Sequence, residues 1–173
     1  MDLYLIRHAE AVSREDEQFA DEDRPLTENG RGQARALAKA LVARGIQFDA
    51  VFASPLIRAR QTAEELLQNM HGPLAELEFC NHLKPGGKFR KLTRFLVGLA
   101  GESIALIGHE PDLSELAGRL IGSRKVQLDL AKGGMALVKC DGAPGKGRGH
   151  LTLLLNPEWY GAEIEETSPA TAW

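Results

Sequence analysis

This sequence predicts an α/β domain with a mostly parallel central sheet, and three observations carry that expectation. Short continuous apolar runs alternate with segments whose apolar residues recur every three or four positions. That is the pattern of strands buried on both faces and connected by helices. The runs at residues 3–6 and 104–107 both stop abruptly at residues with reactive or charged side chains, Arg7-His8 and His109. Finally, 173 residues, 43% hydrophobic and 26% charged, can hide roughly two-thirds of their unfolded surface and are too apolar for wholesale disorder.

The elements follow in order. Residues 3–6 form the first strand. Residues 9–24 are polar and acidic, and a loop of that length in a compact domain is more often functional than a plain connector. Thr27 suits an N-cap, because its hydroxyl can accept from a first-turn amide. Ala34, Leu37, Ala38, Leu41 and Val42 then form one apolar stripe, and Gly45 can take the left-handed conformation that stops a helix. Residues 50–53 make the second strand. Ser54 reads as an N-cap and Pro55 as a first-turn residue of a helix that Ala59, Ala63, Leu66 and Leu67 carry to about Met70. Residues 77–80 suit a third strand, and Phe89, Leu92, Phe95, Leu96 and Leu99 mark a third helix. Residues 104–107 form the fourth strand, followed by a helix bearing Leu113, Leu116, Ala117, Leu120 and Ile121. Residues 135–140 and 151–155 close the sheet, joined by the glycine-rich stretch 141–149. One domain over 1–173 is expected, with its core at about 1–156 and residues 157–173 as a loosely held tail.

Composition excludes several function classes. Lys+Arg 21 against Asp+Glu 24 gives a net charge of −3, without the basic surplus that a nucleic-acid binder needs. Cys80 and Cys140 can form no disulfide framework and have no metal-ligand spacing. No apolar stretch is long enough to span a bilayer, and the one at the start is too short for a signal peptide. The expectation is a cytoplasmic protein that engages neither nucleic acid nor membrane.

Chemistry is expected at the carboxyl ends of the strands, where open α/β sheets bind ligands. Arg7 and His8 end the first strand, Ser54 leads from the second into Arg58 one helical turn later, and His109 ends the fourth. A parallel sheet puts all of them at one edge. Guanidinium forks match phosphate oxygens, a neutral imidazole can act as a nucleophile, and the amides opening the helices after Pro55 and Pro111 add positive potential. Residue chemistry leaves two readings, an anion site with phosphoryl-transfer chemistry or charged strand ends with satisfied histidines. Arg60 is expected to face outward. His71, His82 and His150 lack ligand spacing and read as exposed side chains. Arg24 either touches phosphate or pairs with the acidic loop, and the acidic residues 15–23 read as a solvated loop.

Four segments add a family resemblance. Leu5-Ile6-Arg7-His8-Ala9-Glu10, Arg24-Pro25-Leu26-Thr27, Ser54-Pro55-Leu56-Ile57-Arg58 and Gly108-His109-Glu110-Pro111 occur in that order. Together they resemble the histidine phosphatase superfamily, and within it the SixA-type phosphohistidine phosphatase branch. The resemblance spans about residues 2–121. Ala9 departs from the family's usual Arg-His-Gly triplet, and alanine takes positive φ less cheaply than glycine.

The resemblance implies a three-layer α/β/α, phosphoglycerate mutase-like fold without a large cap insertion. It implies a hydrolase in which His8 attacks phosphorus while Arg7, Arg58 and His109 hold the phosphoryl oxygens, with Arg24 a further candidate and no metal or cofactor. Ester-cleaving members carry an acid between the Arg58-type helix and the second histidine motif. That interval holds Glu64, Glu65, Glu76, Glu78 and Glu102, and reads Leu83-Lys84-Pro85-Gly86-Gly87 where mutase-like branches place the acid. A missing acid and a short interval suit a labile phosphohistidine on a protein, such as a histidine phosphotransfer domain. The alternatives are a phosphatase for small phosphoesters and a catalytically silent phosphate-binding protein.

Overall fold

The computed structural model describes residues 1–73 and 75–161. Among these, β1 (Asp2–Arg7), β2 (Ala50–Ala53), β3 (Leu77–Phe79), β4 (Ser103–Gly108), β5 (Met135–Cys140) and β6 (Gly149–Leu155) form one sheet, in the order β3-β2-β4-β1-β5-β6. β1, β4, β2 and β3 pair in parallel. β5 runs antiparallel to β1 and forms an antiparallel pair with β6. The helices are α1 (Glu28–Val42), α2 (Ile57–Gln68), α3 (Phe89–Val97), α4 (Asp112–Leu120) and the short α5 (Pro157–Tyr160).

Alternation along β1 explains the layers. Leu3 and Leu5 pack with Leu92 and Leu96 of α3 and Leu113 and Leu116 of α4. Tyr4 and Ile6, on the opposite face, pack with Leu37 and Leu41 of α1 and Ala59 and Leu66 of α2. Both faces of the central strands are therefore covered, which is why these strands read as unbroken apolar runs. The connection from α2 to β4 consists of β3, a short 3-10 turn (Asn81–Leu83) and α3, with no large insertion.

Local signals act as their chemistry requires, with two corrections. Thr27 Oγ1 accepts from Gly30 N–H at 3.0 Å, and Gly45 has φ of 67° just beyond α1. Ser54, expected as the N-cap of α2, instead extends the β2–β4 pairing by donating its N–H to Ile107 O at 2.9 Å. Leu56 holds the N-cap position and α2 begins at Ile57. The second correction concerns the tail. Residues 157–160 are docked, because Tyr160 donates its hydroxyl to Gly133 O at 2.5 Å and packs on the α1–α2 side of the sheet. Residues 162–173 lie outside the described residues.

Gly30 is the point at which α1 meets the loop behind β1. A Cβ there would lie 2.0 Å from Glu10 O, whereas a Cβ on Gly32 of the same helix would meet nothing within 4 Å. Gly30→Ala is therefore expected to destabilise the protein by about 1–3 kcal/mol through overpacking. Gly32→Ala is expected to stabilise it by up to about 1 kcal/mol through helix propensity. Urea unfolding of the two variants tests this pair, and equal effects of either sign would contradict the packing account.

Candidate active site

The strand ends are level at one edge of the sheet. Arg7 pairs opposite Gly108, and Ala53 opposite Ile107. His8 N–H donates to Gly108 O at 3.0 Å, and Gly133 N–H donates to His8 O at 3.1 Å. The chain thus leaves β1, β2 and β4 within a few ångströms of one place. Arg7, His8, Arg24, Arg58 and His109, the five residues singled out from sequence, line one cavity of about 350 Å³. Its floor is buried: Arg58 is 1% exposed, His109 3%, Arg24 7% and His8 8%.

His8 is held as a neutral base. Its Nδ1 lies 2.7 Å from Ala9 O, and a carbonyl can only accept, so Nδ1 carries the proton and Nε2 keeps its lone pair. Burial pushes its pKa down to about 3. The Ala9 carbonyl opposes that shift, while His109, Arg58 and Arg7 add to it. The His109 ring lies 5.1 Å from the His8 ring, centroid to centroid, and its Nε2 is 2.9 Å from Ser54 Oγ. Leu56 N–H donates to that oxygen at 3.4 Å, leaving the hydroxyl proton free for His109 Nε2. With the Ser54 hydroxyl donating to Nε2, the ring proton of His109 sits on Nδ1, the nitrogen without a partner among the described residues. Burial, reinforced by the Arg58 charge, lowers the His109 pKa to about 4, so His109 is a neutral donor.

The arginines are anchored on one side. Arg7 Nη1 donates to Leu130 O at 2.8 Å, and Arg58 Nη1 to Asp21 O at 2.6 Å. Arg24 reaches Val12 O at 2.6 Å and Asp21 Oδ1 at 2.8 Å. Arg7 Nε, Arg58 Nε and His109 Nδ1 are buried with no hydrogen-bond partner among the described residues. A buried polar group left unpaired costs roughly 1–3 kcal/mol. Three of them, on residues that line one cavity, mark a place built to be completed by an anion.

Comparison with known proteins agrees with this geometry. The family model "Histidine phosphatase superfamily (branch 1)" matches residues 3–85. The chain is 30% identical over 123 residues to the phosphohistidine phosphatase SixA of Escherichia coli (strain K12), covering 69% of this chain and 74% of that protein. The chain belongs to the histidine phosphatase superfamily. It is also 33% identical over 165 residues to an uncharacterised protein of Picosynechococcus sp., covering 92% of this chain and 98% of that one. A solved structure of the protein histidine phosphatase SixA complexed with tungstate superposes with a TM-score of 0.78 at 27% identity, covering 91% of this chain and 98% of that one. The fold is thus the phosphoglycerate mutase-like fold of the SixA branch, and the chain is a phosphatase of the histidine-phosphatase type.

Several residues of this histidine phosphatase escaped the sequence reading. Thr62 is buried on α2, donates its hydroxyl to Arg58 O at 2.7 Å and accepts from Ala9 N–H at 3.0 Å. It ties the helix that carries Arg58 to the loop that carries His8. Ala9 itself is fully buried and no non-glycine residue has positive φ among the described residues, so alanine fits the family's glycine position without backbone strain. Asp21 corrects the picture of a merely solvated acidic loop, because its carboxylate contacts Arg14, Arg24 and Arg58. Burial pushes the Asp21 carboxyl up, but Arg24 hydrogen bonding and the three arginine charges outweigh it and hold the pKa low.

The carboxylates between Arg58 and His109 lie elsewhere. Glu64 pairs with Arg60, Glu65 with Arg31 and Arg35, and Glu76, Glu78 and Glu102 are exposed. Pro85 lies on the cavity wall, and Glu110, one residue past that interval, lines the same cavity. The interval between Arg58 and His109 thus brings no carboxylate to the cavity, as expected, and the carboxylate on its wall comes from the residue after His109. Arg60 is exposed beside Phe79. His71 and His150 are exposed as expected, whereas His82 is half-buried against Phe95. No group of three or more His, Cys, Asp and Glu residues could hold a metal among the described residues. No helix among them is long and apolar enough to cross a membrane.

The buried histidines set a pH dependence of stability. An unfolded histidine titrates near 6.5, above the folded values of about 3 for His8 and about 4 for His109. Below pH 6.5 the unfolded chain binds protons that the folded chain refuses, so stability present above pH 6.5 is lost as pH falls towards 4 and 3. Urea unfolding between pH 7 and pH 5 is expected to show this decline. A His8→Ala/His109→Ala double variant is expected to show a shallower one, and parallel curves would contradict it.

Proposed function

We propose that this phosphatase removes the phosphoryl group from phosphohistidine on a protein, through a covalent phosphohistidine formed on His8. The observation that carries the reading is the shape of the cavity. His8, Arg58 and His109 are buried at its floor, while Ser13, Arg14, Pro85 and Lys132 on its wall are exposed. An imidazole projecting from another protein can enter such an open funnel, which no inserted cap covers among the described residues.

In the first step His8 Nε2 donates its lone pair to phosphorus. The bond from phosphorus to the substrate imidazole breaks, and that nitrogen keeps the electron pair and takes up a proton from solvent. Arg7 and Arg58 hold the equatorial oxygens and His109 Nδ1–H a third. Charge spread over these oxygens is stabilised by positioned donors rather than by covalent chemistry. Water oxygen then attacks phosphorus, the bond to His8 Nε2 breaks, and the neutral imidazole is restored. Arg24, fixed on Asp21, adds positive potential at the floor. The partner is a phosphorylated protein of the histidine phosphotransfer kind. The buried free thiols of Cys80 and Cys140 suit a cytoplasmic enzyme.

Release of phosphate from a phosphohistidine protein, compared with p-nitrophenyl phosphate and sugar phosphates, tests the substrate. The expected outcome is the highest kcat/KM on phosphohistidine; ester turnover with none on phosphohistidine rejects it. His8→Ala is expected to lose at least about a thousandfold in kcat with the fold retained. Arg58→Ala is expected to lose about a hundred- to a thousandfold. Near-normal activity of His8→Ala rules out the covalent route, as does failure to trap phosphate on His8.

A further inference from the structure

The cavity opens between two stretches of opposite charge. Residues 15–23 join the cavity residues Arg14 and Arg24 and hold six carboxylates and no cation. Residues 79–101 hold five cations, Lys84, Lys88, Arg90, Lys91 and Arg94, and no carboxylate. The two stretches flank the cavity from opposite faces of the sheet. The acidic loop is tied to α2 through Asp21 and Arg58, and α2 packs on the Tyr4 and Ile6 face of β1. Pro85, between Lys84 and Lys88, lies on the cavity wall, and α3 packs on the Leu3 and Leu5 face. All five cations are exposed, and none takes part in an ion pair among the described residues.

The basic stretch is held in place. Gly86 N–H donates to Asp112 Oδ2 at 2.8 Å and Gly87 N–H to Lys84 O at 3.1 Å. A Cβ on Gly87 would lie 2.3 Å from His82 O. Lys84 and Lys88 therefore leave a fixed loop beside the cavity. On α3, Leu92 and Leu96 face the core while Arg90, Lys91 and Arg94 are turned to solvent. Arg90 and Lys91 lie in the first turn of α3, which has no acidic residue, and positive charge there opposes the helix dipole. The nearby carboxylates of α4 are already engaged, Asp112 with Gly86 and Glu115 with Arg119. Cations placed against the stability of their own helix, and left without a counter-charge, have their complement on another molecule.

We propose that Lys84, Lys88, Arg90 and Lys91 form the docking surface for the substrate protein, which presents an acidic face on one side of its phosphohistidine. This surface rests on the phosphohistidine reading above and adds the chemistry of the partner to it. The charge across the cavity favours a protein over any other polyanion. RNA or an anionic membrane carries negative charge on both sides of its contact, and Glu15, Glu17, Glu22 and Asp23, all exposed, repel it. A folded protein can be acidic on one side only, so the two stretches also fix which way round it docks. Attraction of this kind reaches about 8–10 Å at physiological salt and acts on encounter rather than on the chemical step.

Two synthetic peptides test this, each with one phosphohistidine, one flanked on one side by glutamates and the other by serines. Wild type is expected to show about tenfold higher kcat/KM on the glutamate peptide at low ionic strength, through KM, and about equal values near 0.5 M salt. Lys88→Glu/Lys91→Glu, which suits the helix dipole, is expected to lose that preference with kcat unchanged and to stay within about twofold of wild type on p-nitrophenyl phosphate. Lys39→Glu/Arg44→Glu makes the same change of charge at exposed positions of α1 and the turn after it, and is expected to keep the preference. Equal wild-type turnover of both peptides would overturn the docking surface and leave the phosphohistidine reading standing. Equal loss of preference in the two double variants would overturn it as well, by making net charge the cause. So would an equal loss on p-nitrophenyl phosphate, which would make the effect structural. Binding of wild type to phosphatidylglycerol vesicles or single-stranded RNA that Lys88→Glu/Lys91→Glu abolishes, without a peptide preference, would overturn it in favour of those ligands. A wild type that cleaves p-nitrophenyl phosphate and neither peptide would reject the phosphohistidine reading and the docking surface together.

Discussion

The parallel pairing of β1 with β4 sets the position of everything functional in this protein. Arg7 opposite Gly108 means that the residue after each strand, His8 on one side and His109 on the other, leaves the sheet at the same height. The ladder continues one residue beyond β1, through His8 N–H to Gly108 O, and beyond β2, through Ser54 N–H to Ile107 O. A slip of one residue would send Leu3 and Leu5 to the face that now receives Tyr4 and Ile6. The two apolar layers that fix this register therefore also fix the distance between the two imidazoles. Packing energy spent on the core is what keeps the site in place.

The second constraint is electrostatic. Several cations around one cavity repel each other and lose hydration as they are buried. The fold answers with acceptors that lie off the cavity: Leu130 O for Arg7, Asp21 O for Arg58, and Val12 O with the Asp21 carboxylate for Arg24. Each guanidinium is anchored by part of its donor set. Arg7 Nε and Arg58 Nε, like His109 Nδ1, have no partner among the described residues. The balance favours a bound dianion, which supplies the missing acceptors and the missing negative charge at once. A net charge of −3 over the whole chain gives no hint of this concentration.

Legibility in the sequence followed the range of the interaction. Thr27 as a cap and Gly45 as a helix stop depend on neighbours a few residues away, and both stand in the structure as read. Strand alternation and the order of four short motifs gave the fold and the five cavity residues. Ser54 has the local setting of a helix cap, but its hydroxyl meets the His109 ring, 55 positions along the chain. Glu110 lies one residue outside the interval between Arg58 and His109, and nothing in its local sequence marks it as a cavity residue. Its neighbourhood to Arg7 and His8 exists only once β1 lies beside β4.

By itself, the sequence determined the alternation of strands and helices, the level at which the reactive residues appear, and the kind of anion that their side chains suit. Those are properties of local spacing and side-chain chemistry. Only the tertiary structure decided which tautomer His8 adopts, through Ala9 O, and that Thr62 joins α2 to the nucleophile's loop. It alone showed that Asp21 binds three arginines and that Glu110 faces the cavity. These depend on contacts between residues far apart in the chain and on the loss of water around them. Neither has a signature in residue order.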